Sequence, residues 1–522
     1  MEIISAAQAA EMISDNSTVA VGGFCGFGAP DTVLKAIQSR YQKEGMPKDI
    51  TLITPAASGT GTDEIWGVDA LGEEGLVSTV ITSILKLPKR LLLQANDNKI
   101  AAFCPPLGYF GHMYRALGGK EPGVLTHSGL YTYCDPRLSG CAMNEKARNS
   151  QLKMVELMEV KGKEYLFYPV IPIDFALIRG SYADRNGNIS VDREALLTEI
   201  TELATAVHNN GGIVIAQVEK IVDEIHPRHV AVHKQCIDYV VITAPGEHLQ
   251  NYTVKQYRPE LVGDVKIADL SFKNMEFGIR KVIARRAAME LIKGGLINLG
   301  LGISEGISMV ASEEGVLDDF TFSIETGVLG GLVLSGGEVG AGINSEAFYR
   351  MSDTFDLYHG GGLDECFLSA AQIDKEGNVN VSMFNGRVNG PGGFVDISQN
   401  AKEVSFSGIF TAGKTDEEII DGKLVIHSDG NVLKYVDHVE QITFSGKEAI
   451  ANGQKVRYIS ERCVMLLTEN GLMITEIAPG VDMQKDILNK MEFTPLIADD
   501  LKEMDRRLFY PEKMNLKLRE KS

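Results

Sequence analysis

The sequence predicts an α/β protein made of two similar open α/β domains, internally duplicated, and three observations predict it. Apolar β-rich runs alternate with helical patterns along the whole chain. One segment recurs without a gap in the second half. A helix, a strand and a glycine-rich loop follow one another once in each half. The alternation shows in Gly295-Leu296-Ile297-Asn298-Leu299, followed by a helical pattern over 305–311. Apolar strands of this kind argue for buried, partly parallel sheets.

The recurring segment is 174–190 (DFALIRGSYADRNGNIS), which aligns on 364–380 (DECFLSAAQIDKEGNVN). Both open on Asp and carry Asp-x-x-Gly-Asn, turn chemistry that predicts strand, turn, strand. A second, looser pair needs a short gap and sets 9–13 (AAEMI) against 287–291 (AAMEL). Each leads through a strand into glycines, GGFCGFGAP from Gly22 and NLGLG from Asn298. The expected division is therefore an N-terminal domain over 1–265 and a C-terminal domain over 275–522, joined by 264–277. The first carries the longer insertion, including the Gly- and Pro-rich stretch over 103–136.

A chain of 522 residues with 44% hydrophobic side chains can bury a substantial core. Its 51 basic and 70 acidic residues, formal charge -19, have the wrong sign for neutralising a phosphate backbone, so nucleic acid is not an expected partner. Backbone N–H groups and local cations can still hold a phosphate-bearing ligand in an acidic protein. Seven cysteines with no Cys-x-x-Cys suggest a reducing cytoplasm. The beginning of the chain shows no basic stretch before an apolar one, and no apolar run approaches the roughly 18 residues of a membrane helix. The expectation is a soluble, unsecreted, cytoplasmic protein with no membrane contact.

Four features carry candidate chemistry. Gly300-Leu301-Gly302-Ile303-Ser304-Glu305-Gly306 has one residue too many before its third glycine for a dinucleotide fingerprint. It reads either as a tight strand-to-helix turn or as a loop whose N–H groups approach a ligand. Glu325, in Ser323-Ile324-Glu325-Thr326-Gly327, ends an apolar strand and precedes glycines that leave room for an approaching molecule. Burying a lone carboxylate is costly, so Glu325 is either a nucleophile or a capping or turn carboxylate that accepts backbone N–H bonds at the start of a helix. Asn389-Gly390-Pro391-Gly392-Gly393 can aim N–H groups into a cavity between apolar strands, or close a plain turn. His226, His229 and His233 mimic metal-ligand spacing, but Pro227 disfavours the continuous helix such a site needs, so no metal site is expected. Serine and cysteine nucleophiles have no foothold, for want of Gly-x-Ser-x-Gly or an activated thiol.

Together these blocks resemble the family I CoA-transferases over nearly the whole chain. The likeness is strongest to the fused single-chain acetate and propionate type, whose halves correspond to the α and β subunits of split enzymes. It rests on GGFCGFGAP at Gly22, KEYLFYPVIPIDFALIRGSYA at Lys163, NLGLGI at Asn298, SIETGVLGG at Ser323, YHGGGLDECFLS at Tyr358, GPGGFVDIS at Gly390 and TEIAPGVDMQKDILNKMEFTP at Thr475.

The resemblance implies a CoA-transferase-like fold and makes Glu325 the catalytic glutamate that forms a γ-glutamyl thioester with coenzyme A. It implies ping-pong transfer of coenzyme A from a short-chain acyl-CoA to a carboxylic acid such as acetate. Coenzyme A is then a substrate and covalent intermediate, with no tightly bound cofactor. Asn298, Gly300 and Gly302 would approach the pantetheine arm, and the loop at Gly392 and Gly393 would supply an oxyanion donor. A homodimer or homotetramer is implied as well. One position departs from the family: a Gln is expected near 107, where Leu107 cannot donate a hydrogen bond. Two rival functions are an acyl-CoA hydrolase on this fold and a non-catalytic acyl-CoA or sugar-phosphate sensor.

Overall fold

The computed structural model describes residues 2–268 and 274–521, so 269–273 of the expected linker lie outside the described residues. By internal contacts the chain forms two compact units. The first comprises Met1–Ile267, Ile324–Asp356 and Gly386–Gly393, and the second Ala268–Ser323, Leu357–Asn385 and Phe394–Ser522. Two stretches from the second half of the sequence, one holding Glu325 and the other Gly392 and Gly393, thus group with the first unit.

The first unit is built on an eight-stranded sheet. In chain order its strands are β1 (Glu2–Ile4), β2 (Thr18–Val21), β3 (Ile50–Ile53), β4 (Val77–Ile81), β5 (Ala101–Phe103), β6 (Phe175–Arg179), β7 (Ile213–Val218) and β8 (Tyr239–Ile242). Their spatial order is β1-β8-β7-β6-β2-β3-β4-β5, with every pairing parallel. All five residues of β6 are buried, as expected of a central parallel strand. From β2 the chain winds outward through β3, β4 and β5, then returns to β6 on the other side of β2. That reversal puts the topological switch point at the carboxyl ends of β2 and β6, the usual binding place in such sheets. The loop leaving β2 is the Gly22 loop.

The second unit carries another eight-stranded sheet, with β9 (Leu296–Leu299), β10 (Thr321–Phe322), β11 (Glu365–Leu368), β12 (Glu403–Ser407), β13 (Lys455–Ile459), β14 (Cys463–Thr468), β15 (Gly471–Ile477) and β16 (Leu496–Glu503). The order is β10-β9-β11-β12-β13-β14-β15-β16. The first five strands in this order are parallel, and β14 pairs antiparallel with both neighbours. Here β10 and β11 lie on opposite sides of β9, so the reversal falls where the Gly300 loop leaves β9. Both glycine loops therefore sit at the switch point of their own sheet.

The duplication is visible atom by atom. Asp174 accepts the amide of Thr18, first residue of β2, at 2.8 Å, and Asp364 accepts the amide of Leu296, first residue of β9, at 2.9 Å. Asp184 takes the N–H groups of Asn186, Gly187 and Asn188 at 2.8–2.9 Å, and Asp374 those of Glu376 and Asn378 at 3.0 Å. Each Asp-x-x-Gly-Asn turn joins two short antiparallel strands, Tyr182–Asp184 with Ile189–Ser190 and Gln372–Asp374 with Val379–Asn380. The insertion after β5 forms a helix, Leu107–Gly118, and the first strand of a separate antiparallel sheet of Gly123–Thr126, Lys163–Pro169 and Glu156–Val160. Among the described residues no helix is long and apolar enough to cross a membrane.

Candidate active site

Glu325 lies in a turn rather than on a strand. The strand pairing of β10 ends at Phe322, and Glu325 and Thr326 turn the chain into the short strand Val328–Leu329. The turn is closed by Ile324 N to Val328 O at 2.9 Å and Gly327 N to Ile324 O at 3.0 Å. Gly327 has φ +105°, and a Cβ there would come 1.9 Å from the carbonyl oxygen of Tyr349, so only glycine fits. Thr326 is buried and its hydroxyl donates to the carbonyl of Gly340 at 2.6 Å. Glu325 itself is half-buried.

The Gly22 loop meets this segment. A Cβ on Gly340 would come within 2.8 Å of the Phe24 ring and 3.0 Å of Thr326 Cγ2. Cys25, next to Phe24, is buried and holds the left-handed conformation, φ +51°, pinned by Cys25 N to Ala56 O at 3.2 Å and Gly59 N to Cys25 O at 3.1 Å. Such a conformation costs a non-glycine residue about 1–3 kcal/mol and marks a loop held by its surroundings. Burial, and after it the charge of Glu325, push the Cys25 thiol up to about 12. The glutamate is thus within electrostatic reach of a thiol that stays neutral. The segment is anchored again where Asn251 Nδ2 donates to Gly337 O at 2.8 Å, with Gly26 so close that a Cβ would stand 2.9 Å from that nitrogen. Arg258 pairs with Glu338 and Arg115 with Asp353, and Ser352 donates to Glu202 at 2.7 Å.

The loop at Gly390 rests on the residues after β4. Leu85 N donates to Asn389 O at 3.1 Å and Gly392 N to Ser83 O at 3.0 Å. Gly390, φ +77°, has no room for a Cβ, which would stand 2.7 Å from Ser83 O and 2.8 Å from Ile84 Cα. A helix, Phe394–Asn400, follows the loop where an apolar strand was expected. Of the Gly392–Gly393 pair the Gly392 amide is engaged, and the Gly393 N–H has no hydrogen-bond partner among the described residues. Leu107 is fully buried and begins the helix after Pro106. The neighbouring Cys104 is tied down by Cys104 N to Cys141 O at 2.9 Å and by the Tyr133 hydroxyl donating to Cys104 O at 2.6 Å.

Asn298, Gly300 and Gly302 belong to the second unit. Asn298 is buried, and its Nδ2 donates to Ser323 O at 3.0 Å while its Oδ1 has no partner. The Gly300 amide continues the sheet by donating to Phe367 O at 2.7 Å. The amides of Leu301 and Gly302 have no partner among the described residues, and Gly302 has φ +96°. Ser369 Oγ holds the Leu301 carbonyl at 3.0 Å. The His226 and His233 rings accept the amides of Arg228 and Gln235, capping their own short turns, and His229 pairs with Asp192 at 3.0 Å. Local sequence did not single out Cys25, Thr326, Gly340 or the 83–85 stretch. Their roles arise from contacts between distant parts of the chain, which leave no local pattern.

The coenzyme A transferase family model matches residues 3–243. Acetate CoA-transferase YdiF of Escherichia coli K12 is 40% identical over 99% of this chain and 97% of its own length. The chain belongs to the coenzyme A transferase family. The caffeate CoA-transferase of Acetobacterium woodii is likewise 40% identical, over 97% of both chains. The acyl-CoA transferase YdiF of E. coli O157:H7, solved as a thioester complex with CoA, superposes with a TM-score of 0.92 at 39% identity over all of this chain and 98% of that one. The protein is an enzyme, a coenzyme A transferase with the two-domain α/β fold of these relatives.

Proposed function

We propose that this transferase moves coenzyme A from a short-chain acyl-CoA to a carboxylic acid such as acetate, with Glu325 as the nucleophile. The observation that carries this reading is the placement of Glu325: half-buried in a tightly braced turn, beside the loop at the switch point of the first sheet. The Glu325 carboxylate attacks the acyl-CoA carbonyl and expels CoA thiolate, leaving an acyl-glutamyl anhydride. The thiolate attacks the γ-carbonyl of that anhydride and releases the donor acid as its carboxylate. The enzyme then holds coenzyme A as a γ-glutamyl thioester. An incoming carboxylate reverses both steps, and no net proton is consumed.

Of the two glycines expected at the oxyanion site, the proposal assigns the donor to the Gly393 amide. Its neighbour at Gly392 is spent on Ser83. The free amides of Leu301 and Gly302 and the unpartnered Oδ1 of Asn298 suit contact with the amide-rich pantetheine arm. Binding energy from the distant nucleotide end of CoA would serve the reacting centre. A CoA thioester complex of the E. coli relative supports the covalent intermediate. We further assign the α-like role to 1–265 and the β-like role, with the catalytic glutamate, to 275–522.

Labelled acetate incubated with butyryl-CoA tests transfer against hydrolysis. Label in acetyl-CoA is the expected result. Free CoA without labelled acetyl-CoA would sink the transfer reading in favour of a hydrolase.

A further inference from the structure

Four successive parallel strands, β2 to β5, end on the same edge of the first sheet, and the segments leaving β2, β3 and β4 form a continuous line. Cys25, which feels the charge of Glu325, is tied through its amide to Ala56 at 3.2 Å. Next to Ala56, the Ala57 amide donates to Ile84 O at 3.3 Å. Ile84 then lies under the 389–393 loop, which bonds to Ser83 and Leu85 on either side of it. Cys25 and Ile84 thus follow strands two places apart, a separation of about 10 Å at the usual strand spacing.

Within 82–85, Thr82, Ser83 and Leu85 are buried, and Ile84 alone is partly exposed. Its carbonyl oxygen accepts from the Ala57 amide and, at 3.1 Å, from the Thr82 hydroxyl, and its Cδ1 lies 4.0 Å from where a Gly392 Cβ would stand. The result is a branched apolar side chain on a held backbone, beside the glycine pair that carries the Gly393 amide. An acyl group whose oxygen accepts from that amide has its carbon chain next to Ile84.

We propose that Ile84 is the wall that limits the length of the acyl group, so that it determines which short-chain acid is preferred. The assignment rests on the reading of Glu325 as nucleophile and Gly393 as donor. A small pocket discriminates by about 10-fold or more per methylene. Removing the branched side chain opens room for longer chains, and enlarging it closes room.

The test compares wild type, Ile84→Ala and Ile84→Phe for kcat/KM with acetyl-CoA and butyryl-CoA, using propionate as the common acceptor. Each protein is also examined by mass spectrometry for an adduct on Glu325 after acetyl-CoA. Ile84→Ala is expected to raise the butyryl-to-acetyl ratio about tenfold and Ile84→Phe to lower it about tenfold. Ratios within twofold of wild type in both variants, or shifts of opposite sign, would overturn the wall while leaving the nucleophile intact if the Glu325 adduct still forms. A wild type that turns over without any Glu325 adduct removes the nucleophile reading, and this proposal falls with it.

Discussion

The hydroxyl of Thr326 donates to the carbonyl of Gly340 at 2.6 Å, tying the turn that bears Glu325 to the strand-free stretch packed on Phe24. Both partners are buried, so Thr326→Val leaves an acceptor without a donor, at a cost of about 1–3 kcal/mol. The variant is predicted to fold, to melt earlier, and to lose kcat by about tenfold with a smaller change in KM, since a loosened turn misplaces the nucleophile more than it weakens CoA binding. Steady-state kinetics beside a melting curve check it. Unchanged kcat would show that the turn is held by other contacts.

The Gly393 amide is predicted to stabilise negative charge on the acyl oxygen. Gly393→Pro removes the N–H at the residue that precedes the helix Phe394–Asn400. It should lower kcat about 100- to 1000-fold, the range for losing one oxyanion donor. Gly390→Ala probes the same loop differently, because its Cβ would press on Ser83 O and Ile84 Cα at a φ of +77°. That strain predicts destabilisation of about 1–3 kcal/mol together with lost activity.

The paired aspartates Asp184 and Asp374 are predicted to be equivalent structural devices in the two halves. Each carboxylate satisfies backbone N–H groups of its own turn and the side-chain amide of the Asn that ends it, at 2.7 Å from Asn188 and 3.0 Å from Asn378. Either residue changed to Ala leaves several donors unpaired, with an expected loss of about 2–4 kcal/mol by denaturant titration. A change below about 0.5 kcal/mol at either site would mean that the duplicated motif is not holding its turn.

Lys434 supplies a pH prediction for the second unit. It is buried with its Nζ donating to the Ile409 carbonyl at 3.1 Å, and burial, opposed by the charge of Glu461, pulls its pKa from 10.5 down to about 8. Below pH 8 both folded and unfolded chains hold the proton, and the full penalty of the buried charge is present. Between 8 and 10.5 the unfolded chain binds more protons than the folded one, so stability contributed at this site rises with pH. Compared with Lys434→Met, the wild type should gain on the order of 3 kcal/mol between about pH 7 and about pH 10. Denaturant midpoints at both pH values measure the difference, and parallel curves would refute the assignment.

Much of the fold was legible in the sequence because it is written in local terms. The alternation of strand and helix patterns located the parallel sheets, and Asp-x-x-Gly-Asn marked two turns whose strands match residue for residue across the halves. Glu325 was legible only as one of two things, a turn carboxylate or a nucleophile. It does lie in a turn, but a strand and not the expected helix follows, and its setting beside Cys25 is what recommends it for chemistry. The grouping of 324–356 with the first unit was not legible. It depends on pairs such as Asn251 with Gly337 and Arg115 with Asp353, distant in sequence and free of any period. The difference between Gly392 and Gly393 was equally hidden, since one backbone bond to Ser83 decides it.

The covalent role of Glu325 is tested most directly by mass spectrometry after treatment with acyl-CoA and borohydride. A γ-glutamyl thioester is reduced at its carbonyl, so the predicted result is a peptide in which the Glu325 carboxyl has become a primary alcohol, formed only when acyl-CoA was present and absent from Glu325→Ala. An unmodified Glu325 in an enzyme still turning over under the same conditions would contradict the account.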